Sequence, residues 1–139
     1  MAGFETIYPL RFADDGTPTP FPTIYWLTDD DLDRRLAELE RLGQIKTLEQ
    51  RIASDAELRR RVHADHEAYR DARWAILSAH DRHIVESSPS LSRSFRGGVG
   101  GTADFDRVKC LQAHYAHHLA RLEQGGTASG RVIAAWLKA

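Results

Sequence analysis

Four side chains able to bind a metal or to act as nucleophile and base fall close together: Cys110, His114, His117 and His118. A thiolate is a nucleophile and a metal ligand, and an imidazole can serve as its base or as a second ligand. The surrounding pattern predicts a helix over 103–123, on which residues four apart lie one turn apart. Cys110 and His114 are so spaced, as are His114 and His118, so either pair can share one ion. Cys110, His114 and His117 together cannot, because seven residues rise about 10.5 Å along a helix axis. One helix therefore gives two ligands of a zinc or iron site. His66, Asp65 or His63 on another helix would supply the rest. The metal set read this way is Cys110, His114, His118 and His66, and the catalytic pair is Cys110 with His114. The competing reading is an inert, partly buried thiol beside hydrogen-bonded histidines. His80 and His83, three apart, read as a solvated turn.

A glycine-rich run, Gly97-Gly98-Val99-Gly100-Gly101, precedes that helix. Glycines at a helix start let an anion approach free backbone N–H groups. With the nearby cations, the expected anion site is Arg96, Gly97, Gly98, Gly100, Gly101, Arg107 and Lys109, for a small anionic or phosphorylated ligand. Gly98-x-Gly100-x-x-Ala103 matches a dinucleotide fingerprint in form only, since no strand precedes it and none follows its helix. The competing reading is a tight connector.

These groups depend on the elements that carry them. Period-two spacing of Phe4, Thr6, Tyr8, Leu10 and Phe12 predicts a strand, and Asp14 to Thr17 a turn. Pro18, Pro20 and Pro22 predict an extended arm without central-strand pairing. Thr28 reads as the N-cap of a helix striped by Leu32, Leu36, Leu39 and Leu42 and ended at Gly43. A short helix follows through Ile45, Leu48 and Ile52. Ser54-Asp55-Ala56-Glu57 is a capping box that opens the longest helix, 55–78. Its apolar face is Leu58, Val62, Tyr69, Ala72 and Ile76, with His66 and Arg73 at the edge. Residues 79–103 read as loop, with a turn of helix at 80–86 and a break at Ser87 to Ser90. On the 103–123 helix, Val108, Leu111, Tyr115, Leu119 and Leu122 form the core stripe, and Cys110, His114, His117 and Arg121 a separate face. Gly125-Gly126 ends it and Thr127 starts the last helix. Tyr25, Trp26 and Tyr69 are assigned to the core rather than to base stacking.

The fold class expected is mainly α: a single small helical domain over 1–139, with a short N-terminal strand or extended Pro-rich arm at 1–27 and a helical core at 28–137. A composition of 42% hydrophobic and 28% charged residues fits a globular chain of this length. The longest apolar run, Val132 to Leu137, is far short of the roughly 20 residues of a membrane helix, so no membrane partner is expected. The first residues lack a signal-peptide pattern, and one cysteine cannot form an internal disulfide, which points to the cytoplasm. A net charge of −1 gives no general attraction to nucleic acid.

Three stretches together carry a resemblance: Pro20-Phe-Pro-Thr-Ile-Tyr-Trp-Leu-Thr28, Gly97 to Gly101, and Val108-Lys-Cys-Leu-Gln-Ala-His-Tyr-Ala-His-His-Leu119. The chain resembles the bacterial domain-of-unknown-function family number five hundred and one. The resemblance implies no activity; it carries an association with cell-division and polyphosphate-related genes. Gln112 stands where many members have histidine, and Ala128-Ser129 where many have Asn-Pro. The chain also lacks the upstream cysteines of many members. The expected role is a ligand- or partner-binding regulatory module using the Gly97 to Gly101 loop and the Cys110 to His118 face. The alternatives are a small hydrolase or transferase using Cys110 and His114 or a bound metal, and a cell-division adaptor.

Overall fold

A computed structural model describes residues 3–139. Four short strands, β1 (Phe4–Thr6), β2 (Leu10–Phe12), β3 (Pro18–Pro20) and β4 (Tyr25–Leu27), precede the helices. These are α1 (Asp30–Arg41), α2 (Gln44–Ser54), α3 (Ala56–Ile76), α4 (Ala79–Glu86), α5 (Pro89–Ser94), α6 (Leu111–Ala120) and α7 (Ala128–Lys138). The class is mainly α, but the strands form two antiparallel pairs, β1–β4 and β2–β3, rather than one strand or an unpaired arm. The proline arm pairs because of register. Arg11 lies opposite Thr19, and Phe21 N–H donates to Pro9 O while Ala13 N–H donates to Thr17 O. Bonded and non-bonded pairs alternate, so Pro18 and Pro20 take the non-bonded positions, where a missing N–H removes no ladder bond.

The helix boundaries follow the caps. Asp29, not Thr28, caps α1 by accepting Leu32 N–H at 3.1 Å. Gly43 follows that helix at φ +88°, a conformation cheap only for glycine. Asp55, one residue after the expected Ser54, caps α3 through Glu57 and Leu58 N–H. Within the expected loop at 79–103, the turn of helix read at 80–86 is α4, and a further helix, α5, follows the break. Ser88 caps α5, and Pro89 sits in its first turn, where a missing N–H is harmless.

The helix expected over 103–123 begins only at Leu111 and ends at Ala120. Thr102 Oγ1 accepts Asp104 N–H, Asp104 Oδ1 accepts Asp106 N–H, and Glu49 Oε2 accepts Val108 N–H at 2.9 Å. These bonds satisfy the segment in a turn-rich path and compete with helix formation.

Leu36, Leu48, Ile52, Val62, Leu111 and Ile133 form the main core, joining α1, α2, α3, α6 and α7. Each such side chain, fully buried, contributes about 1.5–3 kcal/mol. Two polar side chains of α3, one turn apart, then fix the N-terminal segment. Tyr69 Oη accepts Ile24 N–H at 2.8 Å and donates to Pro22 O at 3.0 Å. Arg73, 1% exposed, donates to Phe21 O and Ser94 O and stacks on Phe95 at 3.9 Å. Both were read at or near an apolar stripe, and both hold backbone instead. Together they seat β4 against α6.

Candidate functional site

β4, the start of α1 and the start of α6 enclose a cleft of about 470 Å³, lined by Thr23, Tyr25, Trp26, Leu27, Asp30, Asp33, Cys110, Gln112 and Ala113. The Tyr69 and Arg73 clamps set its β4 wall, and Asp29 places Asp30 and Asp33 by starting α1 where the strand ends. Trp26 was assigned to the core, yet it is 52% exposed and tilted against Phe21. Its neighbours in the ladder, Tyr25 and Leu27, turn the opposite way, as strand alternation requires. The sequence pattern suggests Asp30 as a favourable charge at the start of a helix and singles out no role for Asp33. Both line the cleft, and that role has no signal in their spacing.

Cys110 stands at the cleft as the N-cap of α6, its extended backbone at φ −157°. Its Sγ accepts Ala113 N–H at 3.3 Å. Burial first, then the charges of Glu40 and Asp33, raise its pKa above the ordinary thiol value, against the lowering effect of the Ala113 and Gln112 amides. It is therefore a thiol at neutral pH. Among the described residues no hydrogen bond joins it to His114 or to any other imidazole, so the expected nucleophile–base pair is not assembled.

His114 and His117, read on a face apart from the core, lie in the interior with His66 and His118: His66, His114 and His117 are at most 2% exposed and His118 is 6% exposed. Helical periodicity places residues on a face but does not say what packs on it, and α6 is covered on almost every side. His66 Nδ1 accepts Val99 N–H, and its ring stacks on Phe105 at 4.7 Å. His114 shares a hydrogen bond with Ser129 Oγ at 2.9 Å and meets His66 edge-on at 5.3 Å. The Nε2 atoms of both are buried without a partner. His117 stacks on Tyr25 at 5.9 Å and meets Tyr69 edge-on. His118 Nδ1 accepts Thr127 N–H at 2.9 Å. Burial lowers the pKa of all four, to about 4 for His66 and about 3 for His114 and His117. They are neutral bases held as packing groups.

The metal set does not converge. Cys110 caps α6 from the cleft side, His118 is bonded to the start of α7, and His66 faces His114 alone. Among the described residues no three histidine, cysteine or carboxylate side chains gather closely enough to hold an ion. A zinc or iron centre built on these residues lacks its donors.

The anion cradle is filled from within. Gly97 N–H donates to Ser94 O, Gly98 N–H to Thr102 O, Val99 N–H to His66 and Gly101 N–H to Gly98 O. A Cβ on Gly98 would lie 2.3 Å from His66 Nδ1, so this glycine exists for close packing. Gly100 faces Lys109 in the same manner, at 2.9 Å. Arg96 is exposed, while Arg107 Nε donates to Glu49, which also takes Val108 N–H. Arg107 and Lys109 line a second groove together with Asp104. Glu40 Oε2 accepts Leu111 N–H at 2.8 Å and, with its amide nitrogen turned toward that carboxylate, Gln112 also donates to it. Glu40, which the sequence pattern does not single out, thus supplies the negative charge that a helix start attracts, and Glu49, likewise not singled out, holds Arg107 and Val108 in the turn-rich segment before it.

No helix is long and apolar enough to cross a membrane among the described residues. No curated protein and no solved structure matches the chain. One family does match it, described as "Protein of unknown function (DUF501)", over residues 5–135.

Proposed function

The chain belongs to that family, and we propose, from its geometry, that it is a binding module whose ligand or partner enters the cleft between β4, α1 and α6. The observation that carries this reading is the cleft itself, which keeps Trp26 half exposed beside Asp30, Asp33 and the Cys110 thiol. Concave sites of this size with a few polar groups on apolar walls are where ligands bind. The glycine loop supports it from behind, by packing Val99 and Gly98 on His66, rather than by touching ligand.

The test is a titration of the ¹⁵N-labelled chain with a library of small organic fragments and short peptides. Binding in the cleft shifts the amides of Thr23 to Leu27 and of Cys110 to Ala113 together and quenches Trp26 fluorescence. Shifts confined to Thr102 to Lys109, or none, sink the cleft as the binding site.

A further inference from the structure

We propose that the occupant of the cleft is an extended peptide segment carrying a basic side chain, which joins β4 as an added antiparallel or parallel strand. This rests on the cleft being the binding site. β4 pairs with β1 on one side and, among the described residues, with no strand on the other. Ile7 N–H donates to Ile24 O, and Thr28 N–H donates to Gly3 O, which fixes the bonded positions of the ladder. Trp26, opposite Glu5, is the bonded position between them. Alternation then turns the N–H and C=O groups of Tyr25 and Leu27 away from β1. No hydrogen bond among the described residues takes up those groups, and the same two residues line the cleft.

An open strand edge of this kind is a template for another strand. Tyr25 to Leu27 spans about 7 Å, so its outward groups match a segment of roughly three to five residues. Charge selects the side chain on it. Asp30 and Asp33 line the cleft, neither is in an ion pair among the described residues, and no Lys or Arg lines it. Their neighbour Asp31 is already paired with Arg34. The exposed Trp26 ring offers a face to a cation. The start of α6, which would otherwise favour an anion, is occupied by Glu40 at Leu111 N–H and by Cys110 Sγ at Ala113 N–H. Main-chain bonding thus supplies affinity, and the carboxylates with Trp26 supply preference for arginine or lysine.

The experiment titrates the full ¹⁵N-labelled chain with capped, valine-rich pentapeptides carrying arginine, serine or glutamate at the centre. A fourth peptide repeats the arginine sequence with N-methylated central amides. The arginine peptide is expected to shift the Tyr25 and Leu27 amides and slow their hydrogen exchange. It is expected to bind about tenfold tighter than the glutamate peptide, a difference typical of one added favourable contact. The combined Asp30→Asn and Asp33→Asn variant removes that preference while still binding the serine peptide, and Trp26→Ala weakens the arginine peptide alone. N-methylation abolishes binding. Equal binding of the three side chains overturns the basic preference, and undiminished binding of the N-methylated peptide overturns strand addition. Self-association that buries Tyr25 and Leu27 without peptide assigns the edge to a second copy and overturns the proposal. Organic fragments seated in the cleft with no peptide binding overturn the peptide and leave the cleft standing. Nothing binding there removes both.

Discussion

His66 accepts the Val99 amide through Nδ1 at 3.0 Å, which leaves the proton of its neutral ring on an Nε2 that has no partner. The ring cannot gain a second proton without becoming an unpaired cation between Phe105 and His114. The titratable groups around it are His63 on its own helix and Asp104 and Asp106 across from it. His117 faces Arg121, His66 and His118 in addition.

Acid is therefore expected to unfold the protein from pH values well above those that titrate its surface carboxylates. The folded pKa values of about 4 for His66 and about 3 for His114 and His117 lie below the ordinary 6.5. Below pH 6.5 the unfolded chain binds protons that the native chain refuses, so stability is full above that value and falls as pH drops toward the folded values. At pH 5 the loss is about 2 kcal/mol for each imidazole. Asp106 and Glu57, held near 2 by their arginine partners, contribute their losses only at lower pH. Urea unfolding at pH 7.5 and pH 5 checks this, and equal midpoints would contradict it.

Gly98→Ala is expected to destabilise the fold by about 3 kcal/mol or more, because its Cβ would meet His66 Nδ1 at 2.3 Å and Phe105 at 2.9 Å. Gly16→Ala serves as comparison. It has open space, and its φ of +84° leaves only a local backbone cost of about 1 kcal/mol. Thermal melts of the two variants should separate clearly.

Cys110→Ser should be nearly neutral, since the hydroxyl still accepts Ala113 N–H, whereas Cys110→Ala should cost about 1 kcal/mol through loss of the cap. The wild-type thiol should react with a disulfide reagent more slowly at pH 7 than an unhindered cysteine. A rate at or above that of free cysteine would restore a nucleophilic role.

Glu49→Ala should uncover Arg107 and Val108 N–H together and create the anion seat that the glutamate fills. Phosphate is expected to raise the melting temperature of this variant and to leave the parent unchanged. A parent equally stabilised by phosphate would show that the seat is open after all.

The sequence was legible where one signal governed the outcome. Leu32, Leu36 and Leu39 of α1, the length of α3 and the start of α7 at Thr127 follow from periodicity and capping alone, whereas Leu42, expected in the same stripe, is the C-cap of α1 and 62% exposed. The start of α6 was not, because Thr102, Asp104 and Glu49 compete for the amides of a segment whose apolar spacing still looks helical. The pairing of Pro18 and Pro20 depends on which register position each takes, which only the partner strand decides. Periodicity set His114 and His117 on a face apart from the core stripe, but whether that face is wet or buried depends on Tyr25, Tyr69, Phe105 and Ser129, all distant in sequence. The cleft draws on β4, α1 and α6 and has no local signature beyond Trp26 and the aspartates.

His118 is pressed between two glycines. A Cβ at Gly126 would lie 2.2 Å from its ring, and one at Gly130 2.2 Å from its Cγ. The three positions are therefore not independent variables for evolution or for an engineer. Shrinking residue 118 would relax the packing limit at both glycines, while enlarging either glycine first would meet the intact ring. Change at this corner has an order, and the ring must go before the methyl groups arrive.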